Sequence, residues 1–126
     1  MTLVLERDDL RLLVEVGMLA ATRGDVAAAK TIFAAVEQER PESAASYVGP
    51  ALALLFRGRS AEAIEELQRG MPVVEVSQKQ DLQAFLGLAL RVEGRGSESL
   101  RALQAAPDHP MAAALLAQAQ SLSLGG

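Results

Sequence analysis

The helical patterning of this chain is interrupted at three glycines, Gly24, Gly58 and Gly94, which lie 34 and then 36 residues apart. So short a period restricts the fold to stacked supersecondary units, because one such unit cannot bury its own apolar face. The unit is clearest from Leu13 to Pro41. Leu13, Val16, Gly17 and Ala20 form one helical stripe, Gly24-Asp25 breaks it, Val26, Ala29, Phe33 and Val36 form a second stripe, and Pro41 closes the unit. In the second copy Tyr47 answers Leu13, Ala51 answers Gly17, Leu54 answers Ala20, Ala63 answers Ala29 and Leu67 answers Phe33. The third keeps the order with Leu86-Gly87, Leu90, Ser99 and Leu103. The expectation is an all-α fold of three helix-turn-helix repeats, at about 10–43, 44–77 and 80–111, in one domain spanning 1–126.

Laid on the pattern W-x2-L-G-x2-Y…A-x3-F…P, these residues fall in register: Leu13 for the aromatic, Val16-Gly17 for Leu-Gly, then Ala20, Ala29, Phe33 and Pro41. The chain thus resembles a tetratricopeptide-repeat (TPR) protein. The resemblance implies a right-handed array that presents a groove to another polypeptide, with a C-terminal capping helix at about 110–121.

Composition agrees with helix pairs. Half the residues are apolar, yet the only aromatics are Phe33, Tyr47, Phe56 and Phe85, so Ala, Leu and Val must fill the interior. A net charge of −4 without a basic run argues against nucleic acid or an anionic membrane as partner. The absence of cysteine excludes disulfides and thiolate metal sites. The apolar patch in MTLVLERDD is far shorter than a signal peptide, and no run reaches the length of a membrane span. A cytoplasmic protein without membrane insertion is expected.

Along the chain, Thr2 to Leu5 reads as an extended lead-in, Asp8 or Asp9 as the first helix cap, and Asp25 as the second. Gly49-Pro50 departs from the repeat pattern, since a proline inside a helix costs about 3 kcal/mol. Either that helix starts late, with Gly49 at its cap, or it starts near Ser43 and bends at Ser46 to Pro50. Val73 to Val76 is expected as an irregular apolar link over the core, Ser77 to Gln80 as a capping box and Ser97 as a cap. The last helix should pack through Ala113, Leu116 and Ala117, with SLSLGG as a tail.

No catalytic or metal-binding constellation emerges, and no cofactor is expected. The single histidine, His109, has neither a second histidine nor a cysteine to join and reads as solvated. Glu62, Glu65 and Glu66 beside Arg69 read as a solvated helix face.

In TPR arrays the first helix of each pair lines the groove, which by helical spacing selects Arg11, Val14, Met18 and Thr22, then Val48, Leu52, Leu55 and Phe56, then Asp81, Ala84, Leu88, Arg91 and Val92. This aliphatic lining with a methionine suits the apolar face of an amphipathic helix. The alternative is that some of these residues are core, or are covered by the last helix or by a second copy in a homodimer. The clamp that some TPR co-chaperones close on a terminal carboxylate needs basic residues where this chain has Val14, Met18, Gly49, Asp81 and Phe85. In length, repeat number and apolar groove the chain resembles instead the small TPR chaperones of bacterial type III secretion. That resemblance implies a partner presenting an amphipathic helix, such as a small secreted or export-apparatus subunit, with or without a co-chaperone. A structural adaptor or homo-oligomeric scaffold, its groove filled by its own chain, is the alternative.

Overall fold

The computed structural model describes residues 6–125, and the side chains of 122–125 lie outside that description, as do Thr2 to Leu5 and Gly126. The described residues form seven α-helices: α1 (Arg7–Thr22), α2 (Val26–Glu39), α3 (Ala45–Phe56), α4 (Ser60–Gly70), α5 (Lys79–Val92), α6 (Gly96–Gln104) and α7 (Pro110–Gly125). A short 3-10 turn, Val76–Gln78, leads into α5, and no strand occurs among the described residues.

The three glycine breaks share one geometry. Gly24, Gly58 and Gly94 have φ of 68°, 73° and 86°, the left-handed region in which a Cβ is penalised. Each closes its helix with the same pair of bonds. Asp25 N–H donates to Ala20 O (3.0 Å) and Gly24 N–H to Ala21 O (2.9 Å). Arg59 and Gly58 do the same to Leu54 and Leu55, and Arg95 and Gly94 to Leu90 and Arg91. At the first break Asp25 Oδ1 also accepts from Ala28 N–H (3.1 Å), the cap expected from the sequence.

Each helix packs on the next, and the odd helices also pack side by side, α1 on α3, α3 on α5 and α5 on α7. The even helices do not pack on one another. A single side-chain bridge joins α2 to α4: Arg69 reaches Glu37 (2.7 Å) and Glu66 (2.7 Å) while lying 4.8 Å over the Tyr47 ring. The Arg69 guanidinium holds the Glu37 carboxyl below its usual range, and burial pushes the Tyr47 phenol up. The Tyr47 hydroxyl donates to Pro41 O (3.1 Å), which ties the repeat boundary to the core.

Small residues sit where paired helices meet. A Cβ on Gly17 would lie 2.7 Å from Phe33 Cε2, and one on Gly87 would run into Leu103, the residue equivalent to Phe33. Ser99 Oγ donates to Gly87 O (2.6 Å) across the same seam. Ala51, the middle member of the series, is 1% exposed within the central core of α3, α4 and α5. Ala51→Leu is expected to overpack that core and lower stability by about 1–3 kcal/mol. An unchanged thermal melt would contradict it.

Pro50 lies inside α3, which starts at Ala45 rather than at Gly49, so the late-start alternative does not hold. Gly49 explains the departure from the repeat pattern. A Cβ there would overlap the Phe33 ring, so Phe33, fully buried, lies between the bare backbones of Gly17 on α1 and Gly49 on α3. Close approach of α2 to both neighbours requires these two glycines, and that tertiary demand outweighs the local cost of the proline.

Other local expectations are corrected. Val16 is 45% exposed and aligns with Leu12 and Leu19 on the outer face of α1, since no helix precedes α1 among the described residues to cover it. The first cap involves Glu6, whose N–H donates to Asp9 Oδ2 (3.3 Å). Of the Val73 to Val76 link only Val74 is buried. Ser77 to Gln80 form no capping box: Gln78 Oε1 accepts from Ala44 N–H (2.6 Å) and Gln80 Oε1 from Asp108 N–H (3.1 Å), so both glutamines clip α5 to other segments. Arg95, not Ser97, occupies the cap of α6. Helix α7 continues through the expected tail to Gly125 and packs with Met111, Ala112, Leu115 and Leu116, leaving Ala113 and Ala117 exposed.

Candidate functional site

Each even helix packs on its neighbouring odd helices, and α1, α3 and α5 also carry apolar side chains that stay partly exposed among the described residues. Val14 and Met18 on α1 and Leu52 on α3 are half-buried against the core cluster of the first helix pair. Leu55 on α3 and Phe85 on α5 are half-buried against the central cluster. Leu88 is likewise partly exposed, and the C-terminal ends of α3 and α5 carry Phe56 and Val92, both 58% exposed. Thr22 is exposed at the end of α1, with its hydroxyl donating to Leu19 O (2.9 Å). The result is an apolar face across three helices in which most side chains are anchored on one side and bare on the other.

Three of the sequence-derived lining residues sit elsewhere. Val48 is 7% exposed within the central core and Ala84 fully buried against Leu103, Ala106 and Ala112, so both serve helix packing. Val14, Val48 and Ala84 are equivalent by the repeat period, and their cluster partners include residues of the following odd helix: Val48 and Ala84 are buried in that contact between repeats, while Val14 borders it and stays half-exposed. Arg91 turns from the open face into a cavity of about 450 Å3 lined also by Gly96, Ser99, Leu103 and Ala119, and its Nη1 is buried without a hydrogen-bond partner. Phe85, which the sequence reading names only as a groove-wall position without the clamp's basic residue, joins the apolar lining, four residues after Asp81 and three before Leu88.

His109 is not simply solvated. Its Nδ1 accepts from Met111 N–H (3.2 Å), which leaves the proton on Nε2, 3.2 Å from Asp81 Oδ1. Its ring meets Phe85 edge-on at a centroid separation of 6.3 Å. With Gln80 holding Asp108, this contact fastens the start of α7 to α5 and closes that end of the open face.

Arg11 stands at the opposite end, exposed, on the rim of a cavity of about 410 Å3 between the start of α1, the end of α2 and the start of α3. A second cavity, lined by Val14, Glu15, Met18, Leu19 and Thr22, shares Val14 and Glu15 with it and continues along α1.

Among the described residues no three His, Cys, Asp or Glu side chains come together as a metal site, and no helix is long and apolar enough to cross a membrane. Glu62 pairs with Arg59 at the cap of α4 and Glu66 with Arg69 on the same helix, which gives both carboxylates a local partner. No protein-family model matches the chain, and no curated protein does either. Fold and site define an all-helical chain of paired, stacked helices with one side of its odd row uncovered.

Proposed function

We propose that this chain is a TPR-type protein-binding module, a cytoplasmic chaperone that cradles one amphipathic helix of a secreted or export-apparatus subunit. The observation that carries the reading is the half-exposed apolar face of Val14, Met18, Leu52, Leu55, Phe85 and Leu88, spread over three adjacent helices and covered by none of the even helices. A helix laid on it would find alternating ridges and anchored aliphatic side chains, the geometry by which grooves accept i, i+3, i+4 and i+7 residues. The array reading is supported by the three identical helix stops and by the side-by-side packing of the odd helices. The type III secretion assignment rests on resemblance in length, repeat number and groove character.

The structural-scaffold reading has its own support. Leu12, Val16 and Leu19, at 60%, 45% and 57% exposure, form an apolar stripe on the outer face of α1 where a second copy could continue the stack, with Leu19 at its border with the groove-side cavity. Co-expression with a small helical protein that exposes one amphipathic helix separates the two. A chaperone yields a defined complex that keeps its partner monomeric in gel filtration with light scattering. A homo-oligomer of unchanged mass, with the partner left insoluble, would reject the chaperone reading.

A further inference from the structure

The groove has a charge polarity of its own. In a chain of net charge −4, the cavity at the start of α1 gathers three arginines, Arg7, Arg11 and Arg40, against a single carboxylate, Glu15. None of the three makes an ion pair with a described residue, whereas Arg59, Arg69 and Arg95 all do. The same cavity has Leu10, Val14 and Val36 in its lining, and Val14 belongs to the groove face. Guanidinium groups that make no ion pair with a described residue, set around an apolar floor, match a ligand that offers carboxylates next to an apolar surface.

We propose, building on the groove reading, that the bound helix carries an acidic turn, and that its Glu or Asp side chains dock among Arg7, Arg11 and Arg40 while its apolar stripe runs from Val14 toward Leu52 and Phe85. The arginines fix the direction in which the helix lies. A helix with its acidic end at α5 would place carboxylates near Asp81, which already pairs with His109. Like charges there are repulsive, so the charge pattern rejects the reversed orientation.

The test uses synthetic peptides of about 18 residues with a leucine stripe at i, i+3, i+4 and i+7, amidated at the C-terminus except for the third. One carries three glutamates in its terminal turn, one carries glutamines there, and a third carries glutamines but a free terminal carboxylate. Fluorescence anisotropy at low and high salt reads the affinity. The glutamate peptide is expected to bind about tenfold more tightly than the glutamine peptide at low salt, with the difference shrinking as salt rises. Arg11→Glu with Arg40→Glu should abolish that preference, weakening the glutamate peptide by a larger factor than the glutamine peptide; circular dichroism verifies that the variant is folded. Equal affinity of the glutamate and glutamine peptides overturns the proposal while leaving the groove intact. Recovery of the full gain by the free-carboxylate peptide overturns it in favour of terminal-carboxylate recognition. No binding of any peptide overturns the groove reading itself, and this proposal with it.

Discussion

Phe33→Ala is expected to cost about 3–5 kcal/mol, the range for emptying a buried aromatic site, and to be the most destabilising alanine substitution in the chain. Phe33 is fully buried at the junction of three helices, and its ring rests on backbone at Gly17 and Gly49. No neighbouring side chain stands at those two positions to collapse into the void. Against a typical total of about 5–15 kcal/mol, such a loss removes a large part of the margin. Urea denaturation followed by circular dichroism checks it, as a fall in midpoint at constant slope. A loss below about 1 kcal/mol would mean that the ring does not occupy the place described. A double-mutant cycle sharpens the test. Gly49→Ala should destabilise the parent protein because its Cβ meets the ring, and should cost markedly less once Phe33 is alanine. Additive effects would contradict direct contact.

That junction also marks the limit of what the sequence makes legible. The glycine spacing and the apolar stripes locate the stops of α1, α3 and α5 and nearly all of the core, because a left-handed stop and a helical period are local properties. Phe33, Tyr47, Ala51, Leu54, Ala63, Leu67, Leu90 and Leu103 are all buried, as the repeat register requires. What escapes the register depends on which helix lands where. Gly49-Pro50 looks like a helix boundary until Phe33 is placed against it. Val16 looks like core because its equivalents in later repeats have a preceding helix pair and α1 has none among the described residues. On the candidate site, spacing identifies the open face of α1 and α3 well, with Val14, Met18, Leu52, Leu55 and Phe56 all at least partly exposed. Val48 on α3 and Ala84 on α5 are chosen wrongly while Leu88 and Val92 are chosen well, because period arithmetic carries the position of Val14 onto residues that are buried between repeats. His109 could not be placed from sequence, since its partners Asp81 and Phe85 belong to another helix.

Leu52→Asp should have the largest effect on binding. Leu52 lies mid-groove on the central helix of the open face, half-buried beside Val14 and Met18. A helix docked there removes apolar surface from water at about 25 cal/mol per Å2, and the central side chains carry most of the gain. An aspartate at that position leaves an unpaired carboxylate in a closed apolar seam, so affinity should fall by about 2–4 kcal/mol, or roughly thirty- to a thousandfold. Since Leu52 also packs against the first helix pair, the variant should lose some stability as well, and a second substitution is needed to separate the two effects. Phe56 supplies it: at 58% exposure at the end of the same face, Phe56→Asp removes groove surface with little loss to the core. If the face accepts a partner helix, both variants stay helical by circular dichroism and both weaken capture of the co-expressed partner, Leu52→Asp more strongly. If the face is instead buried between copies of the chain, light scattering shows both variants shifting to lower mass with no partner present. Retention of the partner at full strength by two folded variants would place its binding site elsewhere on the molecule.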